Sequence, residues 1–232
     1  MNLQSSRPVC LMAALAFSIS SSHAQTKPQS AAAADDASWI RTYAAAWQNI
    51  PAKPLTDNSQ GHEPQLVNDL RFDKLLHSSF HQQQWFWYDH HRFTPLSDLA
   101  RIFLGVPGSA VVDDDRYVTA DGCVPHDCLD RGMLWIDTGT HPATSIFVAT
   151  QMIRTVNGDP DMHLWLFASR HLDFENMPPD FRSSLERWHA NDTAMGYPEE
   201  FTLVTLVQPS GEQVDLTYPL LNDQQNQPGA KK

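Results

Sequence analysis

Apolar residues recur at two different periods along this chain, and the period changes near residue 110. Between Asp36 and Asn49, Trp39, Ile40, Tyr43 and Trp47 fall at three- and four-residue steps, which predicts a helix that stops at Pro51. A second helix is predicted from Pro64 to Phe80, with Leu66, Val67, Leu70, Leu76 and Phe80 on one apolar side. Trp85-Phe86-Trp87-Tyr88 follows directly, and Leu96 to Phe103 reads either as a short helix or as an irregular segment. Pro51 to Glu63, rich in Pro, Asn and Gly, reads as a loop.

From Val111 onward the pattern is that of strands. Tyr117-Val118 and Met133-Leu134-Trp135-Ile136 flank a cysteine-bearing segment, and Thr138 to Pro142 reads as a turn. Ile146 to Val156 is rich in β-branched residues, Asn157-Gly158-Asp159-Pro160 signals a hairpin, and Met162 to Ala168 returns. Pro179 to His189 predicts a late helix through Phe181, Leu185 and Trp188. A last hairpin is expected from Phe201–Val207 and Val214–Tyr218 around Pro209-Ser210-Gly211. Consecutive strands joined by short turns imply an antiparallel sheet. The expected class is α+β, with N-terminal helices packed on that sheet and one late helix.

The N-terminus adds a compartment. Arg7, the short apolar run Val9–Ile19 and Ser22-His23-Ala24 fit an export signal cut after Ala24. The run is too short to span a bilayer, which takes about 20 apolar residues. The expected organisation is a signal peptide over 1–24, a flexible leader over 25–35, one α+β domain over 36–221 and a disordered tail over 222–232. The chain has 16 basic and 27 acidic residues, and the signal removes one arginine and no acid. The mature net charge is then −12, which argues against nucleic acid and anionic membrane surfaces and favours a basic partner.

With Cys10 in the removed peptide, Cys123 and Cys128 remain, and in an exported chain they are expected to pair. A zinc site would need further ligands. His126 lies between the cysteines, but no second cysteine pair follows. A bond from Cys123 to Cys128 closes a ring of six residues, which stabilises a fold by only about 2 kcal/mol. Its main effect is on shape. Pro125 fixes its own φ and pushes Val124 toward extended backbone, leaving His126-Asp127 at the tip. Such a ring is either a plain turn staple or a rigid element that binds at low entropic cost.

The segment Cys123-Val124-Pro125-His126-Asp127-Cys128 resembles the signature loop of the inhibitor of vertebrate lysozyme (Ivy) family, which reads Cys-Lys-Pro-His-Asp-Cys. Five of the six positions agree, and Val124 stands where the family carries lysine. Tyr117 before the loop, the apolar strand Met133–Ile136 after it and a helix upstream extend the likeness over Val111–Val148. The segments 82–108 and 150–221 depart from the family's usual form. The resemblance implies a periplasmic inhibitor, not an enzyme, that inserts Val124, Pro125, His126 and Asp127 into the cleft of a lysozyme-type muramidase. His126 would meet the catalytic carboxylates, Cys123–Cys128 would be the staple, and no cofactor would be needed. A protective role against a delivered peptidoglycan hydrolase fits the same reading, with a homodimer left open.

The rival expectation is an exported enzyme using His or metal chemistry at His90, His91 and His126. No Gly-x-Ser-x-Gly elbow, His-Glu-x-x-His helix or phosphate-cradling loop appears in the sequence to support it. Asp113-Asp114-Asp115 reads as a solvated turn, with a rim contact to a basic partner as the sharper alternative. Trp85–Tyr88 reads as core packing, with a sugar platform as its alternative.

Overall fold

The computed structural model describes residues 37–48, 66–84, 94–154, 160–173, 177–194, 196 and 201–216. The expected signal peptide, leader and tail, the aromatic run Trp85–Tyr88, His90, His91 and the Asn157-Gly158 turn lie outside them.

The N-terminal helices follow the apolar period, with one shift. Helix α1 spans Ser38–Gln48 and buries Ile40 and Ala44. The second helix was expected from Pro64, but α2 spans Leu70–Ser79 after a 3-10 turn at Leu66–Asn68. Asp69 resets the start: its carboxylate accepts from the Arg71 N–H at 2.8 Å, satisfying a donor of the first turn. Strands β1 (Gln83–Gln84) and β2 (Thr94–Pro95) form a small antiparallel ribbon. The segment left undecided is helical, α3 (Leu96–Phe103), burying Leu96, Leu99, Ala100 and Phe103.

The remaining strands are β3 (Val106–Asp113), β4 (Tyr117–Val124), β5 (Asp127–Asp137), β6 (Thr144–Arg154), β7 (Pro160–Ala168), β8 (Leu203–Val207) and β9 (Gln213–Leu216). They form one seven-stranded sheet in sequence order. Helix α4 (Pro179–Ala194) lies between β7 and β8 in the chain. The class is α+β, but the sheet is mixed rather than antiparallel. β7 and β8 run parallel, with His163 opposite Leu203 and Phe167 opposite Val207. The reason is α4: a parallel pair needs a long crossover to return the chain to the starting end, and this helix supplies it.

Both faces of the sheet are covered. Ile40, Phe72, Leu76, Leu99 and Phe103 from α1–α3 share one cluster with Val118, Leu134, Ile136, Phe147 and Phe167. Phe181, Leu185 and Trp188 of α4 share another with Met133, Trp135, Ile146, Val148, Leu164 and Leu166. Successive residues of β5 and β6 therefore enter different cores, which is why those strands read as continuous apolar runs. Trp135 joins the α4 side to the strands, meeting Phe181 edge-on at 5.8 Å and stacking on Tyr117 at 5.6 Å.

The acid run is a turn with defined tasks. Asp114 and Asp115 take φ of 52° and 51° between β3 and β4, the sign pattern of a type I′ hairpin turn. Asp113 pairs with Arg187 of α4 at 2.7 Å, and the Asp115 carbonyl accepts from Arg41 of α1 at 2.6 Å. The turn thus ties to a helix on each face.

Candidate functional site

The cysteine segment is less of a loop than expected. Strands β4 and β5 run through the cysteines, and Val124 pairs with Asp127, leaving a turn of two residues, Pro125 and His126. A disulfide joins Cys123 to Cys128, with Cα atoms 4.8 Å apart. His126 has φ of 69°, in the left-handed region. A proline with fixed negative φ followed by positive φ is the pattern of a type II turn. Glycine is the usual second residue there, because a Cβ costs roughly 1–2 kcal/mol in that conformation. Histidine at this position is held by its surroundings.

Those surroundings are built from close approaches. The end of α3 lies against the base of the hairpin at three glycines. A Cβ on Gly132 would come within 2.7 Å of Phe103 Cβ, and one on Gly122 within 2.9 Å of Leu104 Cα. A Cβ on Gly105 would come within 2.9 Å of the Pro125 ring. Cys123 is opposite Arg131 while Val124 is opposite Asp127, so Cys128, Leu129 and Asp130 bulge from β5. Thr150 of β6 braces the bulge: its hydroxyl accepts from the Arg131 N–H at 2.9 Å and donates to the Leu129 carbonyl at 3.3 Å.

The four residues expected to bind do not all face outward. Pro125, His126 and Asp127 are exposed. Val124 is 5% exposed and belongs to the core beneath α1–α3, so its expected place on the binding face is corrected. Strand alternation is the reason. Val124 continues the inward row of Val118 and Ala120, and disulfide closure leaves that row intact. The tip therefore presents an imidazole and a carboxylate on a proline-braced turn, and its apolar foot is anchored in the core.

Asp121, two residues before Cys123, was not singled out by sequence. Burial pushes its carboxyl up, opposed by hydrogen bonds from the Ser109 N–H and hydroxyl, the latter at 2.7 Å. Ser109 reaches it because β3 bulges between Pro107 and Ala110, a register shift without a sequence period of its own. The acid run lies at the other end of β4, with Asp113 opposite Tyr117. An eight-residue strand is roughly 25 Å long, so the run is not a rim of the tip. Among the described residues no three His, Cys, Asp or Glu side chains gather as a metal site, and no helix is long and apolar enough to cross a membrane.

Comparison with protein-family models, with curated proteins and with solved structures finds no match. The likeness to the Ivy signature rests on the hexapeptide and its flanking strands.

Proposed function

We propose that this chain is an exported, periplasmic inhibitor of lysozyme-type muramidases that acts by seating the Pro125-His126-Asp127 tip in the target's cleft. The observation that carries the reading is the tip itself: an exposed histidine held at positive φ on a two-residue turn, closed below by a disulfide and braced by α3. Its ordering cost is met during folding, so little is left to be met on binding. The disulfide and the N-terminal signal pattern support an oxidising, exported setting.

The chemistry fits such a target. Retaining glycosidases hold two carboxyl groups about 5–5.5 Å apart. An imidazole donates a hydrogen bond to one of them, and a protonated ring donates to both. Asp127 offers an acceptor to an arginine or backbone N–H on the cleft wall. The reading treats the chain as a binder without turnover and without a cofactor.

The test is a cell-lysis assay with a basic animal lysozyme and purified protein. Inhibition should be stoichiometric and saturating. His126→Ala should weaken it by roughly tenfold or more, the scale of losing a charge-assisted hydrogen bond. Undiminished lysis at excess protein would end the proposal, as would a His126→Ala variant as potent as the parent.

A further inference from the structure

A groove of about 430 Å³ opens where the segment after β7 passes the β8–β9 hairpin. Its apolar lining is Leu172, Leu206, Val214 and Leu216, and its carboxylates are Asp173 and Glu212. Strand alternation puts this lining on the α4 face. Leu206 belongs to the core beneath α4, Val214 lies opposite Leu206, and Leu216 packs on the same core. The groove is also remote from the tip. β5 leaves the tip, β6 returns to that end, β7 leaves it again, and β8 runs parallel to β7, so the residues after Val207 lie at the other end of the sheet. Its volume falls in the range of small-ligand sites, roughly 300–1,000 Å³.

One buried side chain fixes the shape of the groove. The Gln208 amide accepts from the Leu172 N–H at 3.1 Å and donates to the Leu172 carbonyl at 2.6 Å. The Gln208 backbone N–H donates to the Glu212 carbonyl at 2.8 Å. Asp173 follows Leu172 directly, so Gln208 holds both acid-bearing segments at a set spacing before any ligand arrives. His171 Nε2 lies 3.2 Å from one Asp173 oxygen, and Glu212 has no ion pair among the described residues. No lysine or arginine is among the described residues that line the groove. Arg170, the cation nearest in sequence, places its charge beside Asp137 instead. The lining is thus an apolar strip with two negative groups and no fixed cation, which complements an alkyl chain carrying positive ends.

We propose that this groove binds a free aliphatic diamine. The alkyl chain lies along Leu172, Leu206, Val214 and Leu216, and the two ammonium ends meet Asp173 and Glu212. Each ammonium brings three N–H donors to a carboxylate, a charge-assisted contact. The chain between them covers apolar surface that water otherwise wets. The site uses no residue of the tip, so it is separate from the inhibitor reading and does not depend on it.

The experiment is a calorimetric titration of cadaverine into the full chain at fixed ionic strength, with pentylamine and a lysine-bearing peptide as comparison ligands. One saturable site is expected. Pentylamine, with a single ammonium, should bind about threefold more weakly, the scale of one exposed ion pair. Glu212→Gln and Asp173→Asn should each cost cadaverine a similar factor, and Val214→Ser should weaken it through the lost apolar contact. Asp161→Asn, an acid outside the groove, should leave binding unchanged. Thermal melts without ligand establish that each variant is folded. Three results would each overturn the proposal: no saturable binding up to about 10 mM cadaverine, a loss in Asp161→Asn as large as in Glu212→Gln, or binding of the peptide without binding of cadaverine. The lysis assay reads the tip alone, so failure of either proposal leaves the other standing.

Discussion

His163 shows how a single residue can carry pH dependence that its sequence neighbours do not reveal. It lies in β7, stacked on Trp165 at 4.0 Å, with its Nε2 2.9 Å from the Thr205 hydroxyl. The Thr205 hydroxyl gives its one proton to Asp215 at 2.8 Å. Its oxygen therefore accepts from the imidazole, which fixes the Nε2–H tautomer of the neutral ring. Burial pulls this imidazole down to about 4, against an opposing pull from Asp215. The folded value lies below the unfolded one of about 6.5. The unfolded chain thus takes up the proton first, and stability present above pH 6.5 is lost as pH falls toward 4. Allowing for screening, the loss is roughly 2 kcal/mol. Urea melts between pH 7 and pH 4.5 should show this slope in the parent and a shallower one in His163→Gln. Parallel slopes in the two proteins would remove His163 from the account.

At the scale of elements, the hairpin β4–β5 separates stability from function. Its disulfide closes six residues and stabilises the fold by about 2 kcal/mol in the chain-entropy model. The strands on either side are held independently, by Val118, Leu134 and Ile136 on one face and Met133 and Trp135 on the other. A Cys123→Ala/Cys128→Ala double variant should therefore fold, with an unfolding free energy lower by about 2 kcal/mol in urea. Its inhibition of lysozyme should fall by a larger factor than its stability loss alone would cause, because the turn at His126 loses its brace. Full inhibition by the double variant would show that α3 and the glycine contacts hold the turn without the disulfide.

Across the whole molecule acidic residues outnumber basic ones, 27 to 16. Asp113, Asp115 and Asp137 pair with Arg187, Arg41 and Arg116, while Asp127 and Asp161 have no ion pair among the described residues. The chain as a whole carries a net charge of −11. A basic partner is then drawn in by long-range attraction, which salt screens over a Debye length of about 8–10 Å. Stopped-flow association with a basic lysozyme should slow markedly between low and physiological salt, with a much smaller change in dissociation. An association rate independent of salt would contradict steering by this charge.

Much of the fold was legible because periodicity is a local property. The helical steps of Trp39 to Trp47 and of Phe181 to Trp188, and the apolar runs of β5, β6 and β7, mark their elements through each residue's neighbours in the chain. The proline and the cysteine pair likewise announced a stiff turn at His126. Partner choice between distant strands leaves no such mark. The parallel β7–β8 pair, the bulge that exposes Leu129, the inward turn of Val124 and the arginine partners of the acid run were set by which surfaces met across the sheet. A side chain's period says that it has a buried or an open face; only packing decides what lies against that face.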